Sequence, residues 1–407
     1  MLFKIAWRNI WRSRTRSLVV IGAITVGVWS IIFLLSFSNG MVTSYVNNAL
    51  ENEISHIQVH NPKFIQDREV QYTIPQSAEL LQALEATEGV KAGTMRTLVN
   101  GMLSTSQGAR GVVIRGILPD QEAAVTKLNE KIVEGEYFGD HKNQILISTS
   151  LAEKLKVKIR SKVVLNFQTP HGELSSGAFR IVGLYETNNN TVDEGNVFVV
   201  KTDLNRLLHA DDIAHEAAFL LSDLSLLDTT ATVLQEKIKQ LGRTELVQTY
   251  KEISPDIELM NSQMQVSTAI FTVIFMLALI FGIINTMLMA VLERIRELGM
   301  LMSIGMNKVR VFLMIMLETI LLGVIAAPIG LLLGHLTVSR LAQTGINLSL
   351  WSEGMQEFGI ADMIYPSVVS GLYVQLAVSV FITALLAAIY PAFKAIQLKP
   401  VEAIRTV

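Results

Sequence analysis

The sequence of 407 residues contains no cysteine. This absence excludes disulfides, thiolate catalysis and cysteine-ligated zinc sites, but it does not identify the cellular compartment. Charged residues are also scarce: they make up 17% of the chain, whereas soluble proteins contain about 25%. The formal net charge of −2 argues against a nucleic-acid-binding protein, because such proteins are usually strongly basic.

The motifs of several catalytic classes are missing as well. The sequence has no G-x-x-x-x-G-K-[ST] phosphate loop, no H-E-x-x-H zinc motif and no G-x-S-x-G nucleophile elbow. His56 and His60 lie four residues apart, but on an expected strand and without an evident third ligand. The carboxylates between residues 38 and 265 form no recognisable pair. The sequence therefore predicts no catalytic residue, no metal site and no cofactor bound by this chain.

Apolar residues are abundant, at 50% of the chain, and they are concentrated in long runs. A helix needs about 20 mainly apolar residues to cross a bilayer. A signal peptide is the alternative for the first run, but its apolar core would be shorter and no A-x-A-like cleavage site follows. Four transmembrane helices are therefore predicted, at 17–37, 266–292, 311–339 and 371–393.

Basic residues lie on one side of these runs. Five basic residues precede the first run, four lie between the second and third, and three follow the fourth. The few charged residues of the loop 340–370 are mostly acidic. The positive-inside rule then predicts that both termini are cytoplasmic and that 38–265 and 340–370 lie outside. Segment 1–16 is predicted to be a cytoplasmic amphipathic helix in the headgroup layer, or alternatively a simple basic flank, and 394–407 a cytoplasmic tail.

The region 38–265 is polar and contains no spanning run. Alternating or β-branched pieces predict strands, and amphipathic pieces predict helices, so the region is expected to be an α+β domain. A β-rich lobe near 120–200 is expected to be inserted into a mixed lobe. The predicted strands are 55–60, 111–118, 144–148, 162–167, 179–185 and 196–200, and the predicted helices are 77–86, 151–155, 202–209 and 229–241.

The segment 293–310, ERIRELGMLMSIGMNKVR, joins the second and third runs. Its apolar residues recur at helical spacing and its charges crowd the first turn, which predicts a short amphipathic helix on the membrane surface. An ordinary basic loop is the alternative. The glycines Gly299 and Gly305 and the apolar face favour the helix, because simple anchoring requires neither.

Few polar residues lie inside the predicted spans. Glu318 lies about two turns into the third span, where an unpaired carboxylate is costly. It is expected either to pair with a basic residue of the cytoplasmic loop or of a second subunit, or to reach the headgroups. Asn285 is expected to bond to a neighbouring helix, and Gly22 and Gly27 are expected to allow close helix packing.

The layout of one span, a large external domain and three further spans resembles the FtsX/MacB-type ABC transporter permeases. The start of the chain, Ala6-Trp7-Arg8-Asn9, and Ser38-Asn39-Gly40 most resemble the lipoprotein-releasing (Lol-type) branch. FRIVGLYET at 179–187 resembles a strand of the family's external (MacB-like periplasmic) core domain, and KPVEAIR at 399–405 resembles its P-x-E-A-L-R ending. The residues that match the family signature R-x-R-E-I/L-G-x-x-x-A-x-G are Arg294, Arg296, Glu297, Leu298, Gly299 and Gly305, with Ser303 in place of alanine.

The resemblance implies that 293–310 is a coupling helix that docks on a separate cytoplasmic ATPase, which would bind ATP and Mg²⁺. Two ATPases and two permeases, identical or related, would form the complex. The chain would be a non-catalytic subunit that helps to release lipoproteins or similar amphiphiles from the inner membrane, with a possible periplasmic carrier. The implied coupling residues are Glu293, Arg294, Arg296, Glu297, Leu298, Gly299, Met302, Gly305 and Met306.

Two other functions are compatible with the same layout. One is MacB-like efflux of peptides or drugs, although MacB contains a fused ATPase. The other is an FtsX-like scaffold that activates an extracellular hydrolase, although the external domains of such scaffolds are usually much smaller than 38–265.

Overall fold

The computed structural model describes residues 2–187, 189–351, 354–355, 360–368 and 371–397. The chain forms two compact units. The helical unit comprises Met1–Val42, Asn261–Asn347 and Met363–Val407, and the mixed unit comprises Thr43–Met260 and Leu348–Asp362.

Helices and strands are numbered in chain order. The α-helices are α1 Leu2–Arg12, α2 Arg14–Ala49, α3 Pro62–Asp67, α4 Ser77–Glu85, α5 Pro119–Thr126, α6 Thr149–Leu155, α7 Asn190–Gly195, α8 Lys201–Leu207, α9 Leu227–Gln240, α10 Tyr250–Ile253, α11 Pro255–Glu293, α12 Ile295–Ser303, α13 Lys308–Thr344 and α14 Leu372–Ile396. The strands are β1 Ile57–His60, β2 Ile74–Pro75, β3 Val90–Ser104, β4 Ala109–Ile117, β5 Ile132–Gly135, β6 Gln144–Ser148, β7 Lys162–Gln168, β8 Leu174–Tyr185, β9 Asn196–Val200, β10 Ile213–Ala214, β11 Glu216–Leu221, β12 Leu246–Thr249, β13 Ile346–Asn347 and β14 Met363–Ile364.

Among the described residues, four helices are long and apolar enough to cross a membrane: α2, α11, α13 and α14. α2 and α11 are longer than the apolar runs 17–37 and 266–292, because backbone hydrogen bonding continues a helix into polar sequence. α2 passes through Asn39-Gly40, which lies just beyond the predicted span 17–37. Gly40 is needed there, since a Cβ at this position would lie 2.6 Å from the carbonyl oxygen of Tyr365.

Two glycines of α13 bring this helix close to α2. A Cβ at Gly330 would lie 2.8 Å from the Cβ of Val28 and 2.9 Å from the carbonyl oxygen of Thr25. A Cβ at Gly334 would lie 2.7 Å from the Cδ1 of Ile32. Small residues allow helix backbones to approach closely in membranes, so these glycines set the α2–α13 distance.

The two glycines that the sequence singles out on α2 differ in their surroundings. A Cβ at Gly27 would lie 2.9 Å from the Cδ2 of Leu279 on α11, so this position packs closely. The packing prediction for Gly22 is wrong within the described chain, because no heavy atom lies within 4 Å of its added Cβ. Five residues correspond to about 140° around a helix, so the two glycines do not face the same neighbour.

Gly330→Ala is expected to lower the thermal unfolding midpoint of the full chain in detergent, because the new methyl group would meet the Thr25 carbonyl oxygen. Overpacking of this kind costs roughly 1–3 kcal/mol. Gly22→Ala is the matched control and should leave the midpoint unchanged or raise it, since alanine favours helix. Equal midpoints for the two variants would contradict close α2–α13 packing.

The mixed unit is built on a ten-stranded sheet with the order β12-β1-β11-β3-β4-β9-β6-β8-β5, and β7 pairs with β3 and β8. Most neighbours are antiparallel, while β4–β9 and β6–β8 are parallel. One core contains Met95 and Phe219, and a second contains Val99 and Phe179. The long strand β3 therefore contributes to both cores.

The structure corrects two details of the α+β prediction. The second core begins before the predicted lobe 120–200, since it includes Val99 and Val112. Residues 174–177 belong to none of the predicted strands, but they form part of β8, where Leu174 pairs with Gln168 and Gly177 with Leu165 of β7. The serines and glycine of this stretch give no strand signal, and the pairing with β7 overrides their local preference.

Candidate coupling site

The segment 293–310 is not one helix, so the predicted bounds are wrong. α11 ends at Glu293, α12 covers Ile295–Ser303 and α13 begins at Lys308. Arg294 lies between the first two helices with non-helical backbone angles. The predicted amphipathic helix is therefore a nine-residue element with a break on each side.

Gly305 ends α12. Its φ of +102° lies in the left-handed region that favours glycine. The Gly305 N–H donates to the Met302 carbonyl at 3.1 Å, and the Met306 N–H donates to the Leu301 carbonyl at 3.0 Å. These two bonds form a Schellman ending. Asn307 then caps α13 by accepting a hydrogen bond from the backbone N–H two residues later.

α12 has a buried side and an exposed side. Leu298 and Gly299 are buried, and Met302 and Met306 are half-buried against the core of the helical unit. Arg296, Met300 and Ile304 are exposed and follow one another at intervals of four residues. Ile304 is 79% exposed. These three residues are called here the outer row.

The acids of the segment do not belong to this surface. Glu297 pairs with Arg12 of α1, and the Oε2 of Glu293 lies 3.2 Å from the Nη2 of Arg16. The N-terminal basic residues therefore hold α12 and the end of α11 within the helical unit. The resemblance to the family implies that both acids are coupling residues, and their contacts in this structure are internal.

Glu318 of α13 is 7% exposed and has two partners. The Asn9 Nδ2 donates to its Oε1 at 2.5 Å, and the Arg294 Nη1 lies 3.5 Å from its Oε2. The Arg294 Nη2 also donates to the backbone carbonyl of Asn9 at 3.1 Å. Of the expected alternatives for Glu318, the structure shows pairing with a basic residue of the loop. These contacts, the Asn9–Arg294–Glu318 junction, connect α1, the start of α12 and α13.

Sequence reasoning did not identify Asn9, Arg12 or Arg16 as partners of this segment. The available signal was the run of basic residues without any acid at the N-terminus, which the positive-inside rule already explained. Asn285 differs from its prediction as well: it is exposed on α11 and has no hydrogen-bond partner among the described residues.

The mixed unit contains a second buried cluster of charges. Arg96 of β3 donates from Nε and Nη2 to Glu122 of α5, at 3.0 and 2.8 Å, and from Nη1 to Glu216 of β11, at 2.6 Å. The other oxygen of Glu216 lies 3.4 Å from the Nε2 of His60. The sequence shows no carboxylate pair here because Glu122 and Glu216 lie 26 and 120 positions from Arg96.

This cluster ties α5 and two strands to one guanidinium. Burial alone would raise the pKa of Glu216, but the charge of Arg96 and the hydrogen bond from His60 outweigh it and hold this pKa at about 2. The carboxylate is therefore ionised across the physiological range. In the part of the chain that the structure describes, no three histidine, aspartate or glutamate residues are arranged to hold a metal ion.

These features define a class of protein: four membrane-spanning helices, a short helix with an outer row between the second and third, and a large α+β domain after the first. A family model of the MacB-like periplasmic core domain matches residues 17–236, and a model of the FtsX-like permease C-terminal region matches residues 269–400. The chain belongs to the FtsX/MacB-like family of ABC transporter permeases, which confirms the resemblance. The signature-like ending at 399–405 lies outside the described residues.

Three relatives illustrate the range of the family. The "lipoprotein-releasing system transmembrane protein LolC" of Neisseria meningitidis is 23% identical over 403 residues, which cover 96% of this chain and 94% of that protein. The protein of the same name from Xylella fastidiosa is 23% identical over 341 residues, covering 79% and 80%. The "macrolide export ATP-binding/permease protein MacB" of Brucella melitensis is 23% identical over 345 residues, covering 81% of this chain and 52% of that protein.

Asn9→Ala is expected to loosen α1, because it removes the amide that donates to Glu318. Hydrogen bonds to charged groups contribute about 1.5–3 kcal/mol, so trypsin should cleave after Arg12 at least about tenfold faster in the full chain in detergent. Asn285→Ala is the matched control, and trypsin should cleave it at the same rate as the unmodified chain. If trypsin cleaves Asn9→Ala no faster than the unmodified chain, the junction does not hold α1.

Glu216→Gln is expected to destabilise the mixed unit by about 3–5 kcal/mol at neutral pH, because it breaks a buried ion pair. The measurement is amide hydrogen exchange in β3 of the full chain, with the exposed Glu236→Gln as the control. The folded pKa of Glu216, about 2, lies below the ordinary value of 4.5. Its stabilisation is therefore complete above about pH 4.5 and is lost as the pH falls towards 2.

The difference in exchange between Glu216→Gln and the unmodified chain should accordingly shrink in acid. A difference that is absent at neutral pH, or one that grows below pH 4.5, would contradict the ion-pair interpretation.

Proposed function

We propose that the chain is the permease subunit of an ABC transporter that works with a separate cytoplasmic ATPase to release lipoproteins or similar amphiphiles from the inner membrane. The observation that carries this proposal is the near end-to-end match to the LolC of Neisseria meningitidis, compared with about half of MacB. The missing phosphate loop supports a separate ATPase, because this sequence has no such site for the nucleotide.

The outer row is the proposed contact of the ATPase. Arg296, Met300 and Ile304 combine a charge with flexible and apolar side chains, and methionine suits contact surfaces that must adapt. The acids Glu293 and Glu297 are each paired with an N-terminal arginine, so their negative charges are partly compensated within the helical unit. A basic and apolar row therefore fits a groove lined by acidic and apolar side chains.

The contacts inside the helical unit provide a route for motion from this row. A displacement of α12 acts on Arg294, which is bonded to Glu318 of α13 and to Asn9 of α1. α13 in turn packs against α2 at Gly330 and Gly334. The chain passes into the mixed unit at Thr43, within α2, and this helix continues to Ala49. Two permease copies, identical or related, would move together around two ATPases.

The surface of the spanning helices suits an acylated cargo. α11 exposes large apolar side chains along much of its length, among them Ile270, Leu277 and Phe281. It approaches α2 at the contact between Gly27 and Leu279. We place the entry of acyl chains between α2 and α11 of the two permeases, with both termini and α12 on the cytoplasmic side, in agreement with the positive-inside rule.

MacB-like efflux of peptides or drugs is the second candidate, because the MacB relative has the same 23% identity. The two functions differ in cargo. An acylated lipoprotein should stimulate the ATPase of the purified complex several-fold if the first is correct, and the same protein without its acyl chains should not. Stimulation by macrolides or peptides instead would favour the second.

The experiment that tests the coupling surface is purification of the full chain from its native membrane with whatever ATPase accompanies it. Met300→Asp should lower the recovery of that ATPase at least about tenfold, because an acid would enter the basic and apolar row. Leu174→Asp, which changes an apolar residue that is 88% exposed in the mixed unit, is the matched control. Equal recovery from both variants would refute the docking role of α12.

A further inference from the structure

The helix α1 has two faces with different chemistry. Ala6 and Ile10 are buried, Asn9 contacts Glu318, and Arg12 pairs with Glu297. This inner face therefore holds α12 and α13. The opposite face, which we call the outer face of α1, has no partner assigned by the proposed function.

The outer face of α1 joins an aromatic stripe to a row of cations. Phe3, Trp7 and Trp11 recur at intervals of four residues and are 57%, 42% and 44% exposed. The two indole rings are in edge-to-face contact, with centroids 6.1 Å apart. Lys4 and Arg8 are exposed one position after Phe3 and Trp7, so the cations run beside the aromatic rings. The surface of a soluble monomeric protein does not normally expose three large aromatic rings in a row.

The position of α1 in the chain indicates what covers this face. α1 is separated by Ser13 alone from α2, a helix of spanning length. The first 50 residues contain five basic residues and no acidic residue. Tryptophan rings prefer the bilayer interface, and cations next to a span are attracted to negatively charged headgroups. The charge of the surface is therefore complementary to an anionic bilayer and not to a zwitterionic one.

We propose that the outer face of α1 binds the headgroups of anionic phospholipids, and that this binding holds α12 in position through Asn9 and Arg12. The negative charge of the lipids would then determine how strongly α12 is held in its position. The lipid site itself does not depend on the proposed function. Its consequence for coupling does, because that consequence takes α12 as the contact of the ATPase.

The physical route is short. Headgroup binding restricts α1 at Lys4 and Arg8, and Asn9 follows directly in the same helix. Asn9 donates to Glu318 and accepts from Arg294, the residue that precedes α12. One turn later, Arg12 pairs with Glu297 within α12. An α1 released from the bilayer would transfer its mobility to α12 through the same contacts.

The test uses the full chain without any ATPase, so a failed ATPase hypothesis cannot affect it. The sequence has no cysteine, so Ile304→Cys provides a single site for a nitroxide label at the end of α12. The labelled chain is placed in nanodiscs of phosphatidylcholine alone or with about 30 mol% phosphatidylglycerol. We expect the rotational correlation time of the label to be at least about twofold longer with phosphatidylglycerol, and about 0.5 M salt should reduce the difference.

Lys4→Gln with Arg8→Gln should abolish this response to phosphatidylglycerol. The matched control, Lys158→Gln with Lys162→Gln, removes the same charge from exposed positions of the mixed unit and should retain the response. Lys4→Arg with Arg8→Lys should also retain it, which separates loss of charge from damage to α1. Asn9→Ala with Glu297→Gln should leave the label mobile in both bilayers, because the link to α12 is broken.

Three results would overturn the proposal. The unmodified chain could give the same correlation time in both bilayers. The variant without Lys4 and Arg8 could respond fully, which would place the lipid contact elsewhere. The variant without the Asn9 and Glu297 contacts could still respond, which would show that lipid charge reaches α12 without α1.

Discussion

A single buried carboxylate constrains the helical unit. Glu318 lies within a helix of spanning length, where an uncompensated charge is too costly to be retained. Its compensation comes from Asn9 and Arg294, which belong to α1 and to the break before α12. Because the carboxylate must keep these partners, the N-terminal helix and the short helix α12 are fixed to the same turn of α13. The arrangement of the proposed coupling surface follows from that requirement.

The motif that identifies the family therefore divides into two parts with different surroundings. Arg294, Glu297, Leu298 and Gly299 contact the helical unit, whereas Arg296 is exposed together with Met300 and Ile304. Changing an inward residue would alter the position of α12, whereas changing an outward residue would alter what α12 contacts. The mixed unit follows the same physical rule: Arg96 is buried because two carboxylates compensate it, and these contacts tie α5 to the sheet.

Local patterns made part of this structure predictable. The four long helices follow from runs of apolar residues, and the strands at 144–148 and 196–200 follow from β-branched residues. Both signals depend only on residues that are near one another in the sequence. The end of α12 was also readable, because Ile-Gly-Met-Asn contains a glycine for the Schellman ending and an asparagine for the next cap. The prediction of one helix over 293–310 rested on the spacing of the apolar residues and did not take this glycine and this asparagine as helix boundaries.

The sequence by itself determined that the chain crosses a membrane, that it carries a large α+β insertion and that it resembles this permease family. Only the tertiary structure decided which residues hold the candidate site in place. Asn9 and Glu318 are separated by 309 positions and Arg12 and Glu297 by 285, and the close packing at Gly330 and Gly334 depends on residues of α2. Contacts over such separations leave no periodic or local signal, because they depend on how helices pack and not on the order of residues within any one of them.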